Sequence, residues 1–328
     1  MPERSRFSWT IGSATISLWL IWGSTYLAIL WAIRTLPPFL MAGARFLVAG
    51  LVFFAWAKFR GAEWPRAVEW RSAAIIGALL VLVGNGAIVW AEMRLPTGLA
   101  ALLVATVPLW MVILDSLRPG GTRPNGRVLV GVATGLAGVG VLVSGSSAVG
   151  SPHIDPWGVV ACLSAAMCWA VGSIYSRHAA LPKSPRLAVG MELLCGGAFL
   201  VIAGSLHGEI GNLNLAQASL QSWLALAYLA VFGSLVGFSA YVFLLGETTP
   251  ARATTYAYVN PVVAVLLGWA LAGESITVRT VVAMAIIVTA VVLITSGRSR
   301  PKARQTPEGA GGGESAKARA FDSALREA

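Results

Sequence analysis

The segment PFLMAGARFLVAG (Pro38–Gly50) is echoed later in the chain by PRLAVGMELLCGG (Pro185–Gly197). Proline, leucine and glycine coincide when the two segments are set side by side. The matched pairs are Pro38/Pro185, Leu40/Leu187, Gly43/Gly190, Leu47/Leu194 and Gly50/Gly197. This echo decides how the rest of the sequence is interpreted, because it suggests that one structural unit occurs twice.

Two further matches follow the same order. WGSTY (Trp22–Tyr26) corresponds to VGSIY (Val171–Tyr175), and ATVPLW, which contains Pro108, corresponds to YVNPVV, which contains Pro261. Apolar helices resemble one another by chance, but three ordered matches favour duplication. The sequence therefore predicts a repeated unit of about 150 residues.

The composition places both copies in a membrane. Of the 328 residues, 56% are hydrophobic and only 12% are charged, whereas soluble domains carry about 25% charged residues. Apolar runs of about 20 residues, the length that crosses about 30 Å of hydrocarbon as a helix, recur throughout. We predict spans at 10–33, 38–58, 72–92, 97–117, 126–145, 157–177, 186–206, 221–245, 250–272 and 278–297.

The predicted spans divide into two sets of five. We predict an all-α membrane protein with ten transmembrane helices, built from a first repeat at 10–145 and a second at 157–297. A short N-terminus (1–9), a periplasmic linker (146–156) and a disordered cytoplasmic tail (298–328) complete the chain. Because five is odd, the second copy must enter the membrane upside down, and such inverted repeats are typical of secondary transporters.

Lysine and arginine predict the orientation, because cytoplasmic loops carry the excess of these residues. Most of the 24 fall on one side when the N-terminus is placed inside. The outer loops hold only Arg34, Arg94 and Arg279, while Arg45 lies within a span. Both termini are therefore predicted to be cytoplasmic, and the net charge of +10 needs no nucleic-acid partner to explain it.

Five segments carry a family resemblance. They are WGSTYLAI, LPPFLMAGARF, VGNGAIVWAE, PTGLAALLVATVPLW and ATTYAYVNPVVAVLLGWALAGE. Together they resemble the EamA family of the drug/metabolite transporter superfamily, and especially its YedA-like group of bacterial inner-membrane permeases. The resemblance implies a central cavity lined by both halves, and export or exchange of amino acids, metabolites or drugs.

Other functions find little support in the sequence. The three cysteines have no metal or redox spacing, no cluster of catalytic residue types is evident, and no nucleotide-binding motif is present. We therefore expect no enzyme activity and no cofactor. The expected partners are a small-molecule substrate, the lipid bilayer and, as a coupling ion, protons. A passive facilitator for the same solutes is the alternative.

Polar side chains within an apolar span must face another helix or a cavity, because lipid offers no hydrogen-bond partner. In the first span, Trp22, Thr25 and Tyr26 share one face by helical spacing. In the sixth, Trp169 and Ser173 do the same. We interpret these residues as substrate-binding. The alternatives are that serine only tightens helix packing and that Trp22 anchors the helix at the membrane surface.

Pro108 and Pro261 interrupt the fourth and ninth spans. A proline within a helix leaves a backbone carbonyl unpaired, and matched interruptions in both halves point to a transporter's binding region. Tyr256, Tyr258 and Asn260 precede the second proline, so we include them among the candidate substrate-binding residues. Asn260 has a second interpretation, in which its amide pairs with the freed backbone.

Asn85 on the third span is also a candidate substrate-binding residue. It lies two helical turns before Glu92, so both side chains can face the same side. Glu92 stands at the end of its span, where the simplest interpretation is a carboxylate in contact with water.

Arg45 and Glu192 are the plainly ionisable residues inside the spans, and intramembrane charges are functional candidates. They occupy equivalent positions of the repeat, but inversion places them at different depths, so a direct ion pair is not expected. We predict a coupling role for both, with Glu192 binding protons during turnover. Alternatively, Glu192 extends to the membrane surface or pairs with Arg177 or Arg186.

Overall fold

The computed structural model describes residues 2–119, 124–143, 154–248 and 255–297. Regular structure in these ranges is entirely helical, which confirms the prediction of an all-α protein. The first helix begins at Pro2, so it extends through the segment predicted to precede it. The predicted tail and most of the predicted linker lie outside the described residues.

Ten helical stretches occupy the described ranges. They are α1 (Pro2–Ala32), α2 (Pro38–Phe59), α3 (Ala67–Glu92), α4 (Thr97–Leu117), α5 (Gly126–Val143), α6 (Pro156–Ser176), α7 (Pro185–Leu206), α8 (Leu220–Tyr228, Leu229–Val236 and Gly237–Glu247), α9 (Tyr256–Ala272) and α10 (Val278–Gly297). We refer to α1–α5 as the first half and to α6–α10 as the second half.

Seven of these helices are long and apolar enough to cross a membrane, namely α1 to α4 and α6 to α8. The apolar parts of α5, α9 and α10 are shorter. Their positions agree with the ten predicted spans, whereas the arrangement as two inverted repeats stays a prediction at this point.

Two helices contain π-helical segments that the sequence did not predict. In α3 the segment is Ala78–Asn85, and in α8 it is Leu229–Val236. Each is immediately followed by glycine, Gly86 in α3 and Gly237 in α8. The two segments therefore lie at corresponding places in the two halves. π-Helical turns are uncommon and occur frequently at functional sites.

The two copies of the opening motif pack against each other. A Cβ atom on Gly43 of α2 would lie 3.0 Å from the carbonyl oxygen of Gly197 on α7, and a Cβ on Gly197 would lie 3.1 Å from that of Gly43. In the same way, a Cβ on Gly50 would lie 2.9 Å from the carbonyl oxygen of Gly190, and a Cβ on Gly190 would lie 3.2 Å from the carbonyl oxygen of Gly50. The two helices are therefore antiparallel, and the absence of side chains lets their backbones touch.

Glycine also brings α5 close to its neighbours. A Cβ on Gly131 would lie 3.1 Å from the carbonyl oxygen of Ala290, and one on Gly138 would lie 2.8 Å from Ile287, both on α10. Gly135 instead faces Leu109 on α4. The glycine-rich sequence of α5 is thus explained by packing.

The centre of the described bundle is the first part of α4, where every residue from Thr97 to Leu103 is buried. It packs against α6 and α9. Because α4 belongs to the first half and the other two helices to the second, this core joins the halves.

Candidate functional site

Two carboxylates cap the N-termini of helices at one end of the bundle, and we call this the capped end. The Glu209 carboxylate, just after α7, accepts hydrogen bonds from the backbone N–H groups of Phe39 (3.1 Å) and Leu40 (2.8 Å). Glu274, just after α9, accepts from Thr97 (2.7 Å) and Gly98 (3.3 Å). Each acid thus lies at the N-terminus of a first-half helix, where negative charge is stabilised by the helix dipole.

Other polar contacts reinforce the capped end. Arg94 after α3 forms an ion pair with Asp155 before α6, at 3.3 Å. The Thr35 hydroxyl accepts a hydrogen bond from the backbone N–H of Ser219, at 3.0 Å. These contacts also join the two halves, so polar interactions hold the halves together at the capped end.

An aromatic cluster lies where α1, α8 and α9 meet. The Trp22 ring centroid is 4.8 Å from that of Tyr256, 5.4 Å from that of Tyr241 and 5.6 Å from that of Phe238. Tyr241 and Tyr256 are themselves 6.0 Å apart. We call these four residues the aromatic cluster. Two of them, Trp22 and Tyr256, were predicted as site residues.

The aromatic cluster is tied to the π-helical segment of α8. The indole N–H of Trp22 donates a hydrogen bond to the carbonyl oxygen of Gly233, at 3.1 Å. The Thr25 methyl group faces the same glycine, while its hydroxyl donates to the Trp22 carbonyl at 2.6 Å. The predicted pair Trp22 and Thr25 therefore contacts the π-helical segment of the other half.

Ser24 also reaches α8. Its hydroxyl lies 2.6 Å from the phenolic oxygen of Tyr228 and donates to the carbonyl of Ile21 at 2.9 Å. Next to it, Gly23 lets α9 approach closely, because a Cβ there would lie 2.6 Å from that of Val263. The polar motif of α1 thus serves three contacts with the second half.

The start of α9 is held against α1. Asn260 is buried, and its side-chain amide is oriented so that the NH₂ group points towards backbone carbonyls. In this orientation it donates to the carbonyls of Tyr256 (3.1 Å) and Trp19 (3.2 Å). Pro261 follows near the beginning of α9 rather than at its middle. Asn260 therefore bonds to backbone carbonyls, but not to the carbonyl of Ala257 that Pro261 leaves free, so the interpretation in which its amide pairs with the freed backbone is not what the structure has. The Tyr258 side chain is outside the described part of the chain.

Pro108 coincides with a real interruption. Helix α4 is divided into Thr97–Val104 and Val107–Leu117, with Pro108 at the start of the second segment. Thr106, at the break, donates from its hydroxyl to the carbonyl of Leu103 at 2.6 Å. That carbonyl also accepts from the backbone N–H of Thr106, at 3.2 Å, so these contacts lie next to the break and do not involve the carbonyl of Val104 that Pro108 leaves free.

The predicted residues of α6 lie elsewhere, against the π-helical segment of α3. A Cβ on Gly84 would lie 3.1 Å from the Trp169 ring, and one on Gly172 would lie 3.1 Å from Leu79. Ser173 is half-buried on the same helix, and its carbonyl accepts from Ser176 at 3.1 Å. Each half therefore places a tryptophan against the π-helical segment of the other.

A polar cluster surrounds the π-helical segment of α3. The guanidinium of Arg45, whose residue is only 3% exposed, donates to the amide oxygen of Asn85 at 3.1 Å. The Asn85 amide in turn donates to the carbonyl of Leu80 at 3.1 Å. The Arg45 guanidinium also lies 4.3 Å from the Phe46 ring centroid, while its Nε has no hydrogen-bond partner.

Glu92 belongs to this polar cluster, and the expectation that it contacts water is wrong. The residue is 3% exposed, and neither carboxylate oxygen has a hydrogen-bond partner. It lies within electrostatic range of Arg45 and Glu274. The following loop and α4 cover the end of α3, a tertiary effect that the position of Glu92 in its span does not reveal.

Tyr26 lies between the two clusters. It is buried in the same hydrophobic core as Ile88 and Ala165, and it is within electrostatic range of both Glu92 and Tyr256. Tyr26 therefore does not share the position of Trp22, although both were predicted to line one cavity. Tyr26 instead lies between the polar cluster, through Glu92, and the aromatic cluster, through Tyr256.

Glu192 lies on α7, within electrostatic range of one member of the aromatic cluster. It is half-buried, and both it and Arg177 lie within electrostatic range of Tyr241. Within the described ranges, no ion pair joins Glu192 to Arg45 or to another cation within 4.0 Å. This agrees with the expectation that depth separates the two predicted coupling residues.

Sequence reasoning missed Phe238 and Tyr241, because aromatic residues on an apolar helix look like ordinary lipid-facing positions. It also missed Glu209 and Glu274, which stand in loops. Their only local signal was that each follows closely on the C-terminal end of an apolar span. What identifies all four is a contact with a distant helix.

The comparisons agree with the predicted family. The EamA-like transporter family matches residues 10–144 and 156–296. The chain is 43% identical over 286 residues to the uncharacterized inner membrane transporter YedA of Escherichia coli strain K12. This alignment covers 87% of the present chain and 90% of that protein. The chain is 25% identical over 267 residues to a probable amino-acid metabolite efflux pump of the same strain, covering 79% and 85%.

A solved structure shares the fold. The chain titled "Crystal structure of protein" aligns with a TM-score of 0.61 and 21% sequence identity, covering 87% of this chain and 96% of that one. The fold and the family found from the sequence motifs are therefore supported by independent comparisons.

Proposed function

Because the chain belongs to the EamA-like transporter family, we propose that it is a secondary transporter that exports small organic solutes such as amino acids, metabolites or drugs. It works by alternating access, opening a central site first to one side of the inner membrane and then to the other. The contact between the aromatic cluster and the π-helical segment of α8 is the observation on which this proposal chiefly rests.

The proposed architecture is a pair of five-helix repeats with opposite orientations. Three features support it. The glycines of the repeated motif make reciprocal contacts between antiparallel α2 and α7. The π-helical segments fall at corresponding places in α3 and α8. Each also packs against a tryptophan from the first helix of the opposite half. Inverted repeats supply two arrangements of similar energy, which is what alternating access requires.

The proposed orientation places both termini in the cytoplasm. The loops at the end opposite the capped end carry most of the lysine and arginine, which is typical of the cytoplasmic side. The capped end then faces the periplasm. We infer that in this orientation the present conformation is closed to the outside, because polar contacts join the two halves there.

The proposed substrate site is the aromatic cluster together with Thr25. Asn85, Trp169, Ser173, Tyr258 and Asn260 remain predicted contributors from the sequence, as do the helix breaks at Pro108 and Pro261. Ring faces attract cations, and Glu192 lies close to Tyr241. The site therefore suits a solute with an apolar or aromatic body and a cationic group, such as an amino acid or an amphiphilic amine.

Transport by purified protein in proteoliposomes tests the proposal. A panel of aromatic amino acids, aliphatic amino acids and amphiphilic amines is supplied with and without a proton gradient. Accumulation of a panel member above its external concentration, only when the gradient is present, is the expected result. Equilibration without accumulation would instead indicate the passive facilitator, and no uptake by any member would reject the proposed solute class.

The predicted coupling role of Glu192 enters the same assay. If Glu192 binds the coupling proton, Glu192→Gln abolishes accumulation. If Glu192 only attracts a cationic solute, the same variant weakens uptake of amines more than uptake of neutral solutes.

A further inference from the structure

The side chain of Glu92 is the buried ionisable group that the proposed substrate site does not use. It ends α3, is 3% exposed, and has no hydrogen-bond partner at either oxygen. Ile88, Ala91 and Leu95 around it are apolar and buried. An ionised carboxylate without partners in such surroundings costs several kcal/mol.

Charged and titratable groups face Glu92 from the surrounding elements. They are Tyr26 on α1, Arg45 on α2, Cys162 on α6 and Glu274 after α9. Thr97 on α4 is buried nearby with its hydroxyl unpaired. None of these groups is hydrogen-bonded to Glu92, and among the described residues no cation lies within 4.0 Å of it.

The balance of charge favours a neutral Glu92. Arg45 supplies one positive charge, and Glu274, held by the amides of Thr97 and Gly98, supplies one negative charge. The three-residue group is therefore neutral only when the Glu92 carboxyl carries a proton.

The ligand of this carboxyl must be very small. Both oxygens are shielded from water, so neither a solute nor a hydrated ion has room beside them. No group of three or more metal-ligating side chains occurs in the part of the chain that the structure describes. A proton needs no space and no further ligands.

We propose that Glu92 is the proton-binding site of the transport cycle. The side chain takes up a proton when the capped end is open and keeps it, shielded from water, when that end closes. Opening depends on parting Glu274 from the start of α4, which also uncovers the end of α3. This inference rests on the proposed transport function and gives its coupling step a residue other than Glu192.

The link to the substrate site runs through Tyr26. It interacts with Glu92 on one side and with Tyr256 of the aromatic cluster on the other. The positive charge of a cationic solute at the aromatic cluster would therefore lower the affinity of Glu92 for a proton. Binding of the proton and binding of the solute would then disfavour each other. That opposition is the requirement for exchange of one for the other.

Infrared difference spectroscopy of purified protein at neutral pH tests the protonation without any substrate. The wild-type spectrum minus that of Glu92→Gln is expected to contain the carbonyl stretch of a protonated carboxylic acid. Glu63→Gln, at an exposed loop position, is the matched control and should contribute ionised carboxylate bands. Carboxylate bands alone in the Glu92 difference would overturn the proposal.

Glu92→Met guards against a folding defect in the first variant. If the native side chain is neutral, an apolar replacement of similar length should leave the apparent melting temperature unchanged or raise it. If the native side chain is charged and interacts with Arg45, the variant loses that interaction, so a lowered apparent melting temperature would contradict the proposal.

Proteoliposomes containing the panel solutes test the coupling. Glu92→Gln, which mimics the protonated form, should lose gradient-driven accumulation while retaining some solute equilibration. Glu63→Gln should behave like wild type. Accumulation that persists in Glu92→Gln overturns the proton site but leaves the transport function standing, whereas absence of uptake by wild type rejects the function and leaves the infrared result to decide the protonation.

Discussion

The π-helical segments of α3 and α8 occupy corresponding places in the two halves, yet their surroundings differ. In α3 the carbonyl of Leu80 accepts from the Asn85 amide of the same helix, and the buried Arg45 donates to the oxygen of that amide. In α8 the carbonyl of Gly233 accepts from Trp22 of the other half, within a set of aromatic rings. The same backbone feature, a π-helical segment, thus lies in a polar environment in one half and in an aromatic environment in the other.

The helical residues just before the two π-helical segments also pack differently against the neighbouring helices. Before its π-helical segment, α3 touches α7 backbone to backbone, since a Cβ on Gly77 would lie 2.6 Å from the carbonyl oxygen of Glu192. Helix α8 instead places Tyr228 before its segment and is joined to α1 through the Ser24 hydroxyl. On the polar side α3 is held by backbone contact, and on the aromatic side α8 is held by side chains, which agrees with the proposed proton site in α3 and the proposed solute site at the aromatic cluster.

The largest expected effect comes from breaking the backbone contact on the α3 side. Gly77→Val introduces atoms where Glu192 and Gly196 already lie within 2.6 to 2.8 Å of a Cβ, and neither backbone can move away without separating α3 from α7. We expect little monodisperse protein after detergent extraction and size-exclusion chromatography. Gly140→Val, where nothing lies within 4 Å of a Cβ, is the control and should yield normally; equal yields from both variants would contradict the packing argument.

A smaller effect is expected on the aromatic side from Trp22→Ala. It removes one aromatic wall of the proposed solute site, and the loss of a ring contact to the solute, worth about 0.5–1.5 kcal/mol, should raise KM for a transported panel solute up to about tenfold. Trp22→Phe keeps the ring contacts and loses the hydrogen bond to Gly233, and its effect should be smaller. Trp269→Ala, at an exposed position on α9, should leave KM unchanged. A similar KM in all three variants would exclude Trp22 from the solute site.

On the polar side, Asn85→Ala tests the chain from Arg45 to Leu80. It leaves the buried Arg45 guanidinium without the Asn85 acceptor, which costs about 1–3 kcal/mol. A lower apparent melting temperature is expected in a thermal-shift assay. Asn212→Ala, at an exposed loop position, should not change it. An unchanged melting temperature in Asn85→Ala would mean that Arg45 is stabilised by other means.

The smallest effect is expected from the hydrogen bond between Ser24 and Tyr228. Loss of this single pair in Ser24→Ala or Tyr228→Phe should cost about 1 kcal/mol or less. Because both changes remove the same bond, the double variant should be no less stable than the more affected single variant. Additive losses would show that the two hydroxyls act independently.

The sequence predicted the helices well because long apolar runs leave few alternatives to a membrane-spanning helix. It also predicted that α2 and α7 are related, and the structure explains the repeated glycines by their mutual contact. The π-helical segments were not predicted, since a wider helical turn depends on partners such as Trp22 that lie far away in the chain.

The site was predicted less completely. Trp22, Thr25 and Tyr256 were selected from mid-span polarity and do lie together, whereas Trp169 packs against α3. Glu92 was misjudged, because a residue at the end of a span looks exposed until the next loop and Glu274 are placed above it. Local pattern identifies which residues are unusual in lipid, but tertiary contacts decide which of them meet.

The two carboxylates of the capped end have a mechanical consequence. Glu209 fastens the start of α2 and Glu274 the start of α4, and both acids come from the same half of the molecule. In the proposed alternating-access cycle, a rocking motion of that half separates both carboxylates from their helices at once, so we expect this entrance to open in a single step rather than helix by helix.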